Sequence, residues 1–214
     1  MKVLVIGATG TLGGPIVEAL KSKGHEVIGV SRKSTPSVDI SKPEELKSFL
    51  EGIDPVDHIV CTGGGVYFGE NMELNKITDE SIYLGINSKM MGQVNVVRFG
   101  YPKINAGGSI LLTGGIVAYK PLIPNASHVG MINSALNGFV ISCADDFSKL
   151  EPTKGPRVNV IHPPLIKESA VAFGQTGEGL PSASEAAEIF CKCLFDETGT
   201  GQEYFIPGFN AKEM

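Results

Sequence analysis

Apolar and polar positions along the chain alternate between two periods. Val3-Leu4-Val5-Ile6 is an unbroken run of β-branched and aliphatic residues, the pattern of a strand buried on both faces. A glycine-rich turn follows, and the helical spacing after it predicts a helix over 14–23. Further strands are predicted at 25–30, 37–40, 56–60, 109–113, 157–161 and 203–206. Between them lie helical stretches at 41–52, with Ser41 as cap and Pro43 in the first turn, at 78–99, at 127–150 and from a Ser184 cap to 195. Strand and helix alternate throughout, with no internal repeat or linker. That order predicts an α/β fold, a doubly wound parallel sheet of about seven strands in a single domain spanning 1–214. In such a sheet ligands bind at the carboxyl ends of the strands.

Composition narrows the classes. Of 214 residues, 27 are glycine, well above the usual share of about 7%. They have no collagen period, and many fall in clusters at 7–14, 63–65 and 114–115, where strands end. The net charge of -5 comes without a basic run, which argues against a nucleic-acid surface. No apolar run approaches the roughly 18 residues of a membrane span. The segment before Gly7 is too short for a secretory leader. The four cysteines, at 61, 143, 191 and 193, show neither a disulfide framework nor paired metal spacing, so no metal is expected and a reduced, cytoplasmic setting is.

The chemistry starts at Gly7-Ala8-Thr9-Gly10-Thr11-Leu12-Gly13. Glycines after a buried strand permit a tight turn and close backbone approach. The helix that follows offers free N–H groups and the positive end of its dipole to a pyrophosphate. The second strand ends in Ser31-Arg32-Lys33 rather than in the acid that would bind bare ribose hydroxyls. Arginine there suits a 2'-phosphate, so NADP(H) is favoured over NAD.

These residues resemble the short-chain dehydrogenase/reductase family, over nearly the whole chain and in an atypical short form of Rossmann-like fold. The G-x-x-G-x-x-G spacing is similar to the family's cofactor turn. Asp39-Ile40 resembles its adenine contact. The run from Val56 to Gly64 resembles its V-D-x-x-V-N-N-A-G strand, which brings Thr62, Gly63 and Gly64 to the cofactor. Asn87-Ser88-Lys89 is similar to an N-x-K in which Asn is one of four catalytic residues. Arg157-Val158-Asn159-Val160-Ile161-His162-Pro163-Pro164 resembles R-V-N-x-I-x-P-G, which sets the backbone near Leu165 and Ile166 against the nicotinamide. The family's other catalytic residues are Ser, Tyr and Lys, the Lys lowering the pKa of the Tyr acid. In this chain those positions fall on Gly115, Val129 and Asn133, and no Tyr-x-x-x-Lys lies near.

Replacement chemistry therefore has to come from elsewhere. His128, one residue before the vanished Tyr, carries an imidazole, the group suited to acid–base work. Tyr119 lies in the loop after Gly115. Asn133 can still hydrogen-bond a ribose hydroxyl or the substrate. His162 follows a strand at the same edge. The expected function is an NADP-dependent oxidoreductase acting on a small organic substrate, with activated alkenes and imines the first to test. The alternatives are a nucleotide-binding redox sensor or scaffold without turnover, and a non-redox isomerase or cyclase. The broad apolar coverage of the 78–99 helix, in a family whose two long helices pair between subunits, implies a homodimer.

Overall fold

The computed structural model describes residues 1–150 and 155–209. Six strands form one parallel sheet: β1 (Lys2–Ile6), β2 (Glu26–Val30), β3 (Val56–Cys61), β4 (Ile104–Thr113), β5 (Arg157–His162) and β6 (Glu203–Phe205). Their order is β2-β1-β3-β4-β5-β6. The chain winds outward from β1 to β2, then returns past β1 to place β3 on its other side. The crevice between β1 and β3 is thus the switch point at which doubly wound sheets bind ligands.

Alternate residues of each strand feed two cores. Leu4, Ile6, Ile59, Ile110, Leu112 and Val160 face α2 (Pro43–Gly52), α4 (Gly92–Gly100) and α5 (Ser127–Ser148). Val3, Val5, Val60, Leu111 and Ile161 face α1 (Gly13–Ser22) and α7 (Ala183–Phe195). The central strands are apolar on both faces because helices cover both.

Six strands stand where about seven were expected. The segment 37–40 makes a single bridge, Ser31 to Ser37. Its backbone turns away into α2: the Asp39 amide donates to Glu45 Oε1 at 3.1 Å, and Asp39 Oδ1 accepts from the Ser41 amide and hydroxyl at 3.0 and 2.7 Å. Lys42, not Ser41, is the N-cap residue of α2, with Pro43 opening the helix. Ser182, not Ser184, caps α7 through a reciprocal capping box with Glu185.

The 78–99 helix is three pieces. Thr78 caps α3 (Asp79–Gly85), a π-helical turn occupies Ile86–Met91, and α4 follows. A π-turn carries an extra residue per turn, so it rotates the side chains on either side of it relative to an α-helix. A further short helix, α6 (Lys167–Ala172), follows β5. All four cysteines are buried, and burial pushes every thiol upward: Cys61 and Cys193 to about 12, Cys143 and Cys191 to about 11. His58 is buried in β3 with Nδ1 2.8 Å from Ser109 Oγ, and burial lowers its pKa to about 4, so it is a neutral core residue. Among the described residues no helix is long and apolar enough to cross a membrane.

Candidate functional site

The glycine turn closes on itself by main-chain bonds. The Gly7 amide donates to the Val30 carbonyl at 2.8 Å, and the Gly10 amide to the Gly7 carbonyl at 2.9 Å. Gly7 has φ +93, and a Cβ there would sit 2.6 Å from Thr62 Oγ1. A Cβ on Gly13 would overlap the Gly7 carbonyl oxygen. Only bare backbone lets the end of β1, the start of α1 and the end of β3 meet this closely. The N-terminus of α1 has no side-chain cap, and its first turn carries no acid. Its amides are therefore left for an anion, favoured further by the helix dipole.

Two clefts open from this turn and share Gly10 and Thr62. The first, about 270 Å³, holds Gly7 and Thr9 on one side and Ser31, Arg32, Asp39 and Ile40 on the other, with Gly63 and Gly64 forming its floor. Thr9 Oγ1 donates to Ser31 Oγ at 2.8 Å, and the Lys33 amide donates to the same oxygen at 3.0 Å. Arg32 is exposed at the rim. Burial alone would raise the Asp39 carboxyl, but the Ser41 hydrogen bonds and the charges of Arg32 and Lys42 outweigh it and hold it below its ordinary range. The second cleft, about 230 Å³, runs from Thr11 and Leu12 to Pro164, Leu165 and Ile166. From the end of β2 to the end of β5 the ligand edge crosses four strand spacings, about 19 Å at about 4.8 Å each. A charged end, a phosphate cradle in the middle and a second lobe beyond it fit a dinucleotide.

The remaining candidates scatter. Asn133 is 2% exposed, its Oδ1 has no hydrogen-bond partner among the described residues, and its Nδ2 lies 2.9 Å from where a Cβ on Gly115 would stand. It thus flanks the end of β4. Asn87 is exposed on the π-turn. His128 is buried, with Nε2 donating to the Tyr67 carbonyl at 3.0 Å, and so ties α5 to the loop after β3; its Nδ1 has no hydrogen-bond partner among the described residues. The Tyr119 phenol donates to Glu203 and accepts from Asn137 Nδ2 at 2.8 Å, and its ring packs edge-on against His162 and Phe205. Burial and the Glu203 carboxylate raise its pKa well above that of a free phenol, which disfavours giving or taking a proton near neutral pH. His162 Nδ1 accepts from the Gly115 amide at 3.1 Å, pinning the end of β4 to the end of β5.

Two residues escaped the sequence reading. Gln93 binds Thr113 twice, accepting from its amide at 2.9 Å and donating to its carbonyl at 2.8 Å. Lys89 donates from Nζ to the Gly114 carbonyl at 2.9 Å. Helical spacing in a regular α-helix does not single out Lys89; the π-turn does.

Comparison with known proteins agrees with this architecture. The profile of the NAD dependent epimerase/dehydratase family matches residues 3–84, which hold β1 to β3 and the glycine turn. A dihydropteridine reductase from Dictyostelium discoideum is 30% identical over 146 residues, covering 59% of this chain and 62% of that protein. A hydroxynaphthalene reductase from Aspergillus fumigatus is 26% identical over 154 residues, covering 71% of this chain and 52% of the relative. The chain thus spans between about half and three-fifths of these curated relatives. Among solved structures, the protein lin1944 from Listeria innocua is 34% identical with a TM-score of 0.84, covering 96% of this chain and 99% of that one. A small-chain dehydrogenase in complex with NADPH superposes with a TM-score of 0.82 at 23% identity, covering 99% of both chains.

Proposed function

The chain belongs to the short-chain dehydrogenase/reductase family, and from that premise we propose that it is an NADP(H)-dependent oxidoreductase acting on a small organic substrate. The observation that carries this reading is the pair of clefts joined at Gly10 and Thr62 across the uncapped start of α1. In this reading the α1 amides and the turn 7–13 hold the pyrophosphate. Asp39 and Ile40 border the adenine, and Arg32 with the Ser31 hydroxyl takes the 2'-phosphate. Thr62 to Gly64 support the adjoining ribose, Asn133 binds the nicotinamide ribose or the substrate, and the backbone at Ile166 receives the nicotinamide amide. The bound cofactor would supply hydride. The substrate preference follows from what the site lacks. With Gly115 and Val129 at the hydroxyl and phenol positions, a plain ketone finds no conventional acid, whereas a polarised C=N or conjugated C=C bond needs less help. The relative named for dihydropteridine, a nitrogen heterocycle, supports testing imines first.

Titration with NADPH and NADH, following nucleotide fluorescence, tests the cofactor. The chain has no Trp, so no indole transfer contributes. NADPH is expected to bind more tightly than NADH. Arg32→Ala should weaken NADPH about tenfold, or ~1.4 kcal/mol, and leave NADH unchanged. Equal loss for both nucleotides would remove Arg32 from the phosphate. A carbonyl, alkene and imine panel with bound NADPH then separates an enzyme from a sensor, the reading that the loss of Ser, Tyr and Lys favours. The protein is also proposed to form a homodimer through α4 and α5, where Met131 and Ile141 are exposed and a cleft of about 360 Å³ runs between the helices. A solution mass of 22.6 kDa at micromolar concentration would rule that out.

A further inference from the structure

The end of β4 has lost the side chains that a reductase of this family uses, yet it has not lost a proton donor. Gly115 offers no side chain, Val129 is apolar and Asn133 does not titrate. An amine reaches the neighbouring Gly114 from the opposite helix. Lys89 leaves the π-turn beside Gly64, so close that a Cβ on Gly64 would lie 2.6 Å from Lys89 Cα. Its Nζ ends on the Gly114 carbonyl at 2.9 Å. Asn133 approaches Gly115 from α5, with a buried Oδ1 that has no partner among the described residues. Lys89 and Asn133 therefore bracket Gly114 and Gly115, at the strand end between Gly64, which floors the first cleft, and Pro164 to Ile166, which line the second.

The geometry points to the Lys89 ammonium as the acid that protonates the substrate, with the Asn133 amide holding the substrate or a ribose hydroxyl beside it. This rests on the oxidoreductase reading above. An ammonium carries three N–H donors, and Gly114 takes one. As the substrate's C=N, C=C or C=O bond accepts hydride at carbon, its π electrons move to the far atom. One N–H bond of Lys89 breaks and a new N–H, C–H or O–H bond forms there. The substrate gains two electrons, the dihydronicotinamide loses them, and the neutral amine left behind takes its proton back from water.

The surroundings suit that task. Burial pushes the Lys89 amine down to about 8, with the Cys61 thiol on β3 acting in the other direction. The groups packed near it from other elements are the Gly114 carbonyl on the β4 edge, Cys61 and, beyond Gly114, the ring of His162. Among the described residues, no carboxylate shifts its titration. An acid with a pKa near 8 is mostly protonated at neutral pH and still gives its proton readily. Gln93 locks Thr113 on both sides, so the carbonyl that aims the amine is held in place.

The first test needs no turnover. In the apoprotein labelled with 13C at lysine Cε, one lysine should titrate near pH 8, apart from the others. That signal should be absent in Lys89→Met and should move when NADP+ is added. The second test follows reduction of whichever panel compound is turned over. The rate constant kcat should fall about 10²–10⁴-fold in Lys89→Met, with NADPH affinity unchanged within about twofold. The wild-type kcat/KM should fall above about pH 8, and this limb should vanish in the variant. Should the variant fail to fold, the wild-type titration and pH profile decide alone. A Lys89 that titrates with the surface lysines, or turnover that persists undiminished in Lys89→Met, overturns the proposal. Failure to bind either nucleotide would instead strike the oxidoreductase reading, with the amine's titration still measurable. Binding without turnover of any compound by the unmodified chain would refute the acid role together with the enzyme reading.

Discussion

Gly13→Ala should lower the stability of the fold by about 1–3 kcal/mol and weaken NADPH binding more than tenfold. The single added carbon would overlap the Gly7 carbonyl oxygen and lie 3.0 Å from Thr62 Oγ1. The carbonyl has no room to yield, because it also accepts the Gly10 amide at 2.9 Å and thereby closes the turn. Relief requires α1 to shift away from β1 and β3, which opens the proposed pyrophosphate cradle. Gly52→Ala is the matched control. It lies at the end of α2 with nothing within 4 Å of a new Cβ, and should be neutral or slightly stabilising. Thermal melting and nucleotide titration of both variants settle the matter. A Gly13→Ala protein that melts and binds like the wild type would mean that the turn is not the phosphate cradle.

The second large effect lies away from the ligand edge. Phe190→Ala should cost about 3–5 kcal/mol, which for a chain of this size lowers the melting temperature by roughly 6–20 °C. Phe190 is fully buried in α7, in the core that α7 shares with Ile16 and Leu20 of α1 and with Val3 and Val5 of β1. The cavity left behind would loosen the face of the sheet on which α1 rests. Since α1 is proposed to hold the pyrophosphate, bound NADPH should restore part of the loss by mass action. A urea-unfolding shift below about 1 kcal/mol would show that this core relaxes into the gap.

Much of this arrangement was readable from residues because it follows from short-range rules. Val3 to Ile6 has no polar position, so it had to be a strand covered on both sides. The spacing of Gly7, Gly10 and Gly13 states a steric requirement directly. The failures are equally specific. Segment 37–40 has the composition of a strand, but Asp39 spends its carboxylate on Ser41 and its amide on Glu45, a choice fixed by contacts with α2. Ser182 and Ser184 are both plausible caps, and Glu185 decides between them by sitting three residues after Ser182. The largest gap was the π-turn. The family resemblance pointed to Asn87 in this stretch, which is exposed on the π-turn, while Lys89 two residues on reaches the Gly114 carbonyl. Nothing in Ile86-Asn87-Ser88-Lys89-Met90-Met91 announces that turn. Gly85 and Gly92 flank it, pressed against Ile132 and Ile40 respectively, and those are contacts between distant parts of the chain.

The burial of the four cysteines bears on what kind of signal this protein is able to read. A thiol with a pKa near 11 is ionised to about one part in ten thousand at pH 7, and the thiolate is the form that peroxides and electrophiles attack. With Cys61, Cys143, Cys191 and Cys193 all buried and shifted to about 11 or 12, its thiols are close to deaf to oxidants. If it acts as a sensor of the cell's reducing state, the message should arrive as the ratio of NADPH to NADP+ in the cleft and not as a modified thiol.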